Sequence, residues 1–400
     1  MLSPIATVDT IDPHLHRYFH KLGYFLVDQK KIFGSAKSAM YYCTLNNTRD
    51  LKFVLDGDIF GALDWTKEPQ TDLYELYKQR AQQLRDNYDY VILRWSGGAD
   101  STNMVQAFLQ NDIRPDEIQT CTMEAPGYAP EDGMHVEQRE NYHLIKNDVE
   151  RLGVKMHTVN TADFYTSGFD DPNWHLQSTC PRTNTFSKFL HMYNLDHYKN
   201  IALKYKNPVV VDGLEKPQIT NINGEMVAYF IDNQQMITTF IQNFDPKETA
   251  FGIKKERFYV TGDLPELTLK QTHIVANHML YKQHMKKQLE LGFDKNSVNM
   301  NEQYSEMVIR LLYYKTWKNR FFTLGKEEMK RNLIGQKTVF GYRDHWLWTL
   351  PEHDIRKQKV KLGYKKYSEL IDRSWFNNND PGDNTVGVIS DFYKLGKQWN

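Results

Sequence analysis

The stretch that most constrains this chain begins with the apolar run Tyr90-Val91-Ile92-Leu93. It passes through Arg94 and Trp95 into Ser96-Gly97-Gly98-Ala99-Asp100-Ser101. The pattern reads as strand, S-G-G-x-D-S turn, helix. A strand delivers the chain to a tight turn, and paired glycines let backbone approach a ligand closely. Free N–H groups at the helix start then face an anion. Asp100 places a carboxylate beside those donors, which suits a phosphate site only when Mg2+ lies between the two. The ligand expected here is a metal-bound polyphosphate.

Around this stretch the pattern alternates between strands and helices. Strands are expected at 90–94, 118–123, 155–159 and 208–211, and helices at 73–87, 101–110, 134–152 and 185–205. The strands are short and apolar without strict alternation, as in a parallel sheet covered on both faces. Residues 219–222 and 226–230 flank Asn223-Gly224 and read as a hairpin with a type I′ turn. Upstream, 23–27 and 31–33 read as a hairpin, 51–55 as a strand, and Ser35 as the cap of a short helix. Beyond about residue 245 long helices are expected at 269–291 and 301–322, and a mixed helical region at 325–400. The division expected is a small α+β unit at 1–80, a nucleotide-binding α/β domain at 81–245 and a mainly helical region at 246–400.

Composition narrows the function classes. Lys+Arg and Asp+Glu balance at 50 each, so no global basic field recruits nucleic acid. Cys43, Cys121 and Cys180 are far apart, offering neither a zinc-ribbon spacing nor a disulfide framework, and a reduced cytoplasmic setting fits. No stretch approaches the roughly 18–20 consecutive apolar residues that span a bilayer, and Met1-Leu2-Ser3-Pro4-Ile5 lacks a signal-peptide layout, so no membrane partner is expected. The 24 Tyr and 21 Phe are read as core and interface residues rather than base-stacking platforms.

A Walker A motif is absent, since Gly325-Lys326 is followed by Glu327, and no G-x-G-x-x-G follows a strand. The observed S-G-G-x-D-S in its strand–turn–helix setting resembles the PP-loop of the N-type ATP pyrophosphatases. A second constellation, Val209-Val210-Val211-Asp212-Gly213-Leu214-Glu215-Lys216-Pro217, lies at a later strand end, and in a parallel sheet such ends gather at one edge. Within that superfamily, asparagine synthetases and β-lactam synthetases carry [DE]-G-x-[DE]-E there. Asp212, Gly213 and Glu215 match. Lys216 replaces the last acid, and the glycine before the first acid is missing. Over roughly residues 85–290 the chain resembles asparagine-synthetase-like proteins of tailed phages that lack a glutaminase domain.

The resemblance implies an adenine nucleotide α-hydrolase-like α/β core and an AMP-forming, amide-forming ligase in the cytoplasm, the host's if phage-encoded. ATP would lie on Ser96, Gly97, Gly98, Asp100, Ser101 and Thr102, with Asp212 and Gly213 opposite and Met123, with Glu124, at the base. Asp100 and Glu215 would hold Mg2+, and Lys216 would neutralise developing pyrophosphate charge, its plainer reading being a solvated turn lysine. Met1-Leu2 cannot supply the N-terminal cysteine of a glutaminase. The expected partners are therefore a small carboxylate and either ammonia or an amine, with a separate chain as one ammonia source. Arg182 is either an anion clamp or a capping-loop residue, and Cys180 is a sulfur-carrier candidate. Lys315, Lys337 and Arg343 are candidates to reach the phosphates. His273 and His278 lack metal-pair spacing, and His284 fits a helix face. Two rivals stay open: a PP-loop enzyme modifying a nucleic-acid base, and a nucleotide-binding module without turnover.

Overall fold

In the computed structural model, Tyr90–Arg94 is the middle strand of a five-stranded parallel sheet. The structure describes residues 6–7, 21, 23–33, 36–122, 138, 141–160, 195–213, 216–231, 253–288, 312, 351–355, 357–358, 362, 369–375 and 388–398. Its strands in chain order are β1 (Ala6–Thr7), β2 (Tyr24–Val27), β3 (Lys31–Phe33), β4 (Leu51–Val54), β5 (Tyr90–Arg94), β6 (Glu117–Thr122), β7 (Lys155–Asn160), β8 (Pro208–Asp212), β9 (Gln218–Ile222), β10 (Glu225–Tyr229), β11 (Lys254–Arg257) and β12 (Tyr393–Gln398). The α-helices are α1 (Ala36–Asn46), α2 (Gly57–Phe60), α3 (Leu73–Asn87), α4 (Ala99–Leu109), α5 (Lys146–Leu152), α6 (Leu195–Lys204) and α7 (Pro265–Gln288).

The parallel sheet runs β11-β8-β5-β6-β7. The chain leaves β5 toward β6 and β7, then returns to the other side for β8 and β11. The order therefore reverses between β5 and β8, and loops leaving these neighbours diverge to open a crevice. Arg94 pairs in register with Asp212, which puts both loop starts at one level. Val91, Leu93, Val209 and Val211 enter the main core with residues of α3 and α4. On the other face Tyr90, Ile92 and Val210 pack with Tyr198 and Ile201 of α6. Burial on both faces explains why β5 and β8 are continuously apolar rather than alternating.

The hairpins form as expected. β2 and β3 pair antiparallel around Asp28 and Gln29, both at positive φ, within the sheet β1-β3-β2-β4. Asn223 and Gly224, with φ of 52° and 87°, turn β9 into β10. α3 starts where Asp72 accepts a hydrogen bond from the Tyr74 N–H at 2.8 Å.

Three differences from the sequence reading are instructive. The expected helix 134–152 is interrupted within its described part: a 3-10 turn at Tyr142–Leu144 precedes α5. Asn141, at the head of that turn, donates from Nδ2 to the Gly97 carbonyl at 2.6 Å, so its position serves the glycine loop. Lys254–Arg257 forms the edge strand β11 although its own residues are charged, because β8 supplies a parallel ladder and buried partners accept the charges. β12 falls in the expected mixed helical region. Only Leu395 of its six residues is buried, so its pattern is weak, and its strand state comes from pairing with β10. The expected helix 301–322 lies outside the described residues except at Leu312. Among the described residues no helix is long and apolar enough to cross a membrane.

The first 80 residues are fastened to the parallel sheet by buried polar contacts. Arg80 is 1% exposed and donates to Glu256 Oε2 at 2.9 Å and to the Arg257 carbonyl at 2.7 Å. Glu256 also takes Lys21 Nζ at 2.7 Å and the Tyr88 hydroxyl at 2.5 Å. Burial pushes the Glu256 carboxyl up, but the Arg80 and Lys21 charges outweigh it and hold it below the ordinary range. Asp56, fully buried, accepts from the Gly262 N–H at 2.6 Å.

Candidate nucleotide-binding site

The glycine loop is shaped by its own hydroxyls. Gly97 sits at φ +77°, a conformation open to glycine at little cost, and Gly98 caps α4 in extended backbone. Ser96 N–H donates to Ser101 Oγ at 3.1 Å, and Ser101 Oγ donates to the Gly98 carbonyl at 3.1 Å. Gly98 N–H reaches Ser96 Oγ at 3.3 Å. These bonds fold residues 96–101 into a closed turn over the first turn of α4, whose N–H groups have no intrahelical acceptors. Thr102 stands apart. It is fully buried, its hydroxyl donates to the Gly98 carbonyl at 2.9 Å and accepts from Trp95 Nε1 at 2.8 Å. Thr102 and Trp95 therefore brace the loop from the core side.

The second loop meets the first directly. Lys216 Nζ forms an ion pair with Asp100 Oδ1; the lysine side chain is 3% exposed and the aspartate 46%. A Cβ built on Gly213 would lie 3.0 Å from the Asp100 carbonyl oxygen, 3.0 Å from Met104 Cβ and 3.1 Å from Ser101 Cα. Gly213 is thus needed for space, because the strand end packs flat against the start of α4. One level back, Arg94 Nη1 approaches Asp212 Oδ1 at 3.3 Å.

Tyr259, two residues past β11, connects the pieces. Its hydroxyl donates to the Asp100 carbonyl at 2.7 Å and accepts from Asn103 Nδ2 at 2.9 Å. The Lys216 ammonium lies 4.0 Å from the centre of the Tyr259 ring, a cation–π contact. Lys255, also buried, is pushed down to about 7, first by burial and then by Arg94, against the pull of Asp212. Asn141 is 1% exposed and leaves Oδ1 without a hydrogen-bond partner while Nδ2 holds Gly97.

Of the residues singled out in the sequence, the structure gathers Ser96, Gly97, Gly98, Asp100, Ser101, Asp212, Gly213 and Lys216. Met123, Glu124, Cys180, Arg182, Glu215, Lys315, Lys337 and Arg343 lie outside the described residues, as does the His284 side chain. His273 is buried with Nε2 3.0 Å from the Trp65 carbonyl. Tyr259, Asn103, Asn141 and Lys255 escaped the sequence reading. The only local signal for Tyr259 was the run Phe258-Tyr259-Val260 after the charged Lys254-Lys255-Glu256-Arg257.

No protein-family model and no curated protein matches the chain. Among solved structures it is similar to NMN synthetase from Francisella tularensis, at 12% identity and a TM-score of 0.25, over 36% of this chain and 54% of that one. The match spans about half of that protein's length, and so slight a likeness bears on neither family nor activity.

Proposed function

We propose that this chain is an AMP-forming, ATP-dependent ligase of the PP-loop type that activates a small carboxylate and joins it to ammonia or an amine. The observation that carries the reading is the direct contact of the two loops at the point where strand order reverses: Lys216 on Asp100, and Gly213 against the start of α4. Backbone donors, a half-exposed carboxylate and a buried ammonium meet there. That donor set suits a metal-bound polyphosphate. Asp100 and Glu215 would hold Mg2+, which when bound offsets polyphosphate charge.

The residues of the chain act by positioning and charge. The N–H groups at the start of α4 cradle phosphate oxygens, and Lys216, held by Asp100 and the Tyr259 ring, supplies a cation where pyrophosphate charge develops. A substrate carboxylate oxygen bonds to the α-phosphorus as its bond to the bridging oxygen breaks, and pyrophosphate leaves. The nitrogen nucleophile then takes the acyl carbon, AMP departs and a proton is lost to solvent. No protein nucleophile is required.

The test is incubation of the full chain with Mg·ATP, ammonium and a panel of carboxylic acids. AMP and pyrophosphate in equal amounts are expected, and ADP with phosphate would overturn the proposal. Asp100→Asn should lower AMP formation by roughly 100-fold or more. Its unfolding midpoint should fall as well, because the buried Lys216 loses its counter-charge, so turnover is compared under conditions where both proteins are folded. The Lys216–Asp100 pair favours one other reading, a nucleotide-binding module whose carboxylate is neutralised by lysine in place of a metal. That reading predicts calorimetric ATP binding with no pyrophosphate exchange.

A further inference from the structure

On the face of the sheet beneath α6 lies a cluster that the nucleotide reading does not use. Glu117 opens β6, His157 lies on β7 beside Gln119, and His197 belongs to the first turn of α6. One ligand atom from each of Glu117, His157 and His197 lies within 4.8 Å of the others. We propose that these three residues bind a divalent transition metal of the zinc class, at a site separate from the glycine loop.

The chemistry selects the class. Two imidazoles and one carboxylate suit Zn2+, Co2+ or Ni2+, whereas Mg2+ and Ca2+ prefer oxygen alone. The carboxylate is fully buried, and its free energy of burial is met by directed contacts: Oε2 takes Lys155 Nζ at 3.1 Å and the Tyr90 hydroxyl at 3.1 Å. Those contacts aim Oε1 at the histidines, the way outer partners orient ligands in metal sites. His197 Nε2 lies 2.7 Å from Glu117 Oε1, and the His157 ring stacks on His197 with centroids 3.9 Å apart and planes 6° apart.

Rings in nearly parallel planes cannot both direct in-plane lone pairs at one ion, so one imidazole turns about its Cβ–Cγ bond as the ion enters. The 2.7 Å contact between His197 and Glu117 is a proton-bridged one. Metal bonds of about 2.0–2.2 Å at a tetrahedral angle set the nitrogen–oxygen separation at ~3.4 Å, so the pair opens by ~0.7 Å as the ion replaces the proton, which moves to the other ring nitrogen or to solvent. Three protein ligands leave a fourth position for water. The ion would tie α6 to β6 and β7.

The experiment uses the full chain, stripped by chelator and titrated with Co2+ alone in excess Mg2+, which fills oxygen-rich sites. One equivalent should bind with visible ligand-field absorption stronger than that of aqueous Co2+, and Zn2+ should displace it. His157→Gln and His197→Gln should each weaken uptake by at least ~100-fold, since losing even an outer partner costs about 10–100-fold. Asp100→Asn should leave uptake unchanged, which separates this site from the nucleotide proposal. Absence of stoichiometric Co2+ in the wild type, or unchanged uptake in both histidine variants, would overturn the assignment. Should the variants fail to fold, Zn2+-induced shifts of the His157 and His197 ring resonances in the wild type decide it, and their absence refutes it.

Discussion

Gly213→Ala tests the packing that joins the two loops. The added methyl would meet the Asp100 carbonyl oxygen and Met104 Cβ at 3.0 Å, where ordinary contact starts at 3.4 Å. Two of its three nearest atoms are backbone, the Asp100 oxygen and Ser101 Cα, so no side-chain rotation relieves the overlap. The start of α4 must therefore retreat by about 0.4 Å. Overpacking of this kind costs about 1–3 kcal/mol, while the lower entropy of the unfolded alanine chain returns about 0.4–1 kcal/mol. A net loss of roughly 1–2 kcal/mol in urea denaturation is expected. The same retreat pulls the first N–H groups of α4 away from a bound phosphate. Weakening one charge-assisted hydrogen bond by about 1.5 kcal/mol lowers ATP affinity roughly tenfold in calorimetry. Gly153 is the control. It caps α5 at φ +59° with nothing within 4 Å of a built Cβ, so it is needed for its dihedral and not for space. Asparagine visits that conformation readily, so Gly153→Asn should be mild and Gly213→Asn worse than Gly213→Ala. The reasoning fails if Gly213→Ala matches the wild type in both stability and ATP affinity, or if the two asparagine variants are equally mild.

Other outcomes follow from the buried charges. Glu256→Ala strips the counter-charge from Arg80 and should cost about 3–5 kcal/mol in chemical denaturation; a loss below about 1 kcal/mol would contradict the burial of the pair. Because the folded pKa of Glu256 is depressed, its contribution is present above the unfolded value of ~4.3 and is lost as pH falls through the folded one. Lys255 runs the other way. It is held at about 7 in the fold. An unfolded lysine titrates near ~10.4, so between these values the unfolded chain carries a proton the folded one lacks, and stability rises with pH. Lys255→Met should stabilise the protein most at or below neutral pH and flatten that rise, and an unaltered pH profile would count against it. The Cys43 thiol, 1% exposed and pushed up to about 11 chiefly by burial, should resist alkylation in the folded protein and react in urea, as read by peptide mass mapping.

The glycine loop and its setting were readable because their signals are local. Four apolar residues, two glycines and a helix start follow one another along the chain, and short-range backbone preference is enough to place them. The Asn223-Gly224 hairpin and the parallel sheet followed in the same way, one from turn chemistry and the other from apolar runs at regular spacing. β11 did not, since Lys254-Lys255-Glu256-Arg257 looks like a solvated surface until Arg80, Lys21 and Tyr88 are brought to Glu256. The state of a charged strand is set by distant counter-groups, and these leave no trace within a short window.

Residue identity and spacing alone determined that this chain builds a parallel α/β sheet with a glycine turn and a helix start after β5. The tertiary structure decided that Lys216 reaches Asp100, that Tyr259 holds both, and that Glu117, His157 and His197 share one buried cluster. The physical reason is range. Backbone preference acts over a few residues, whereas burial and charge pairing act across whatever the strand order makes adjacent.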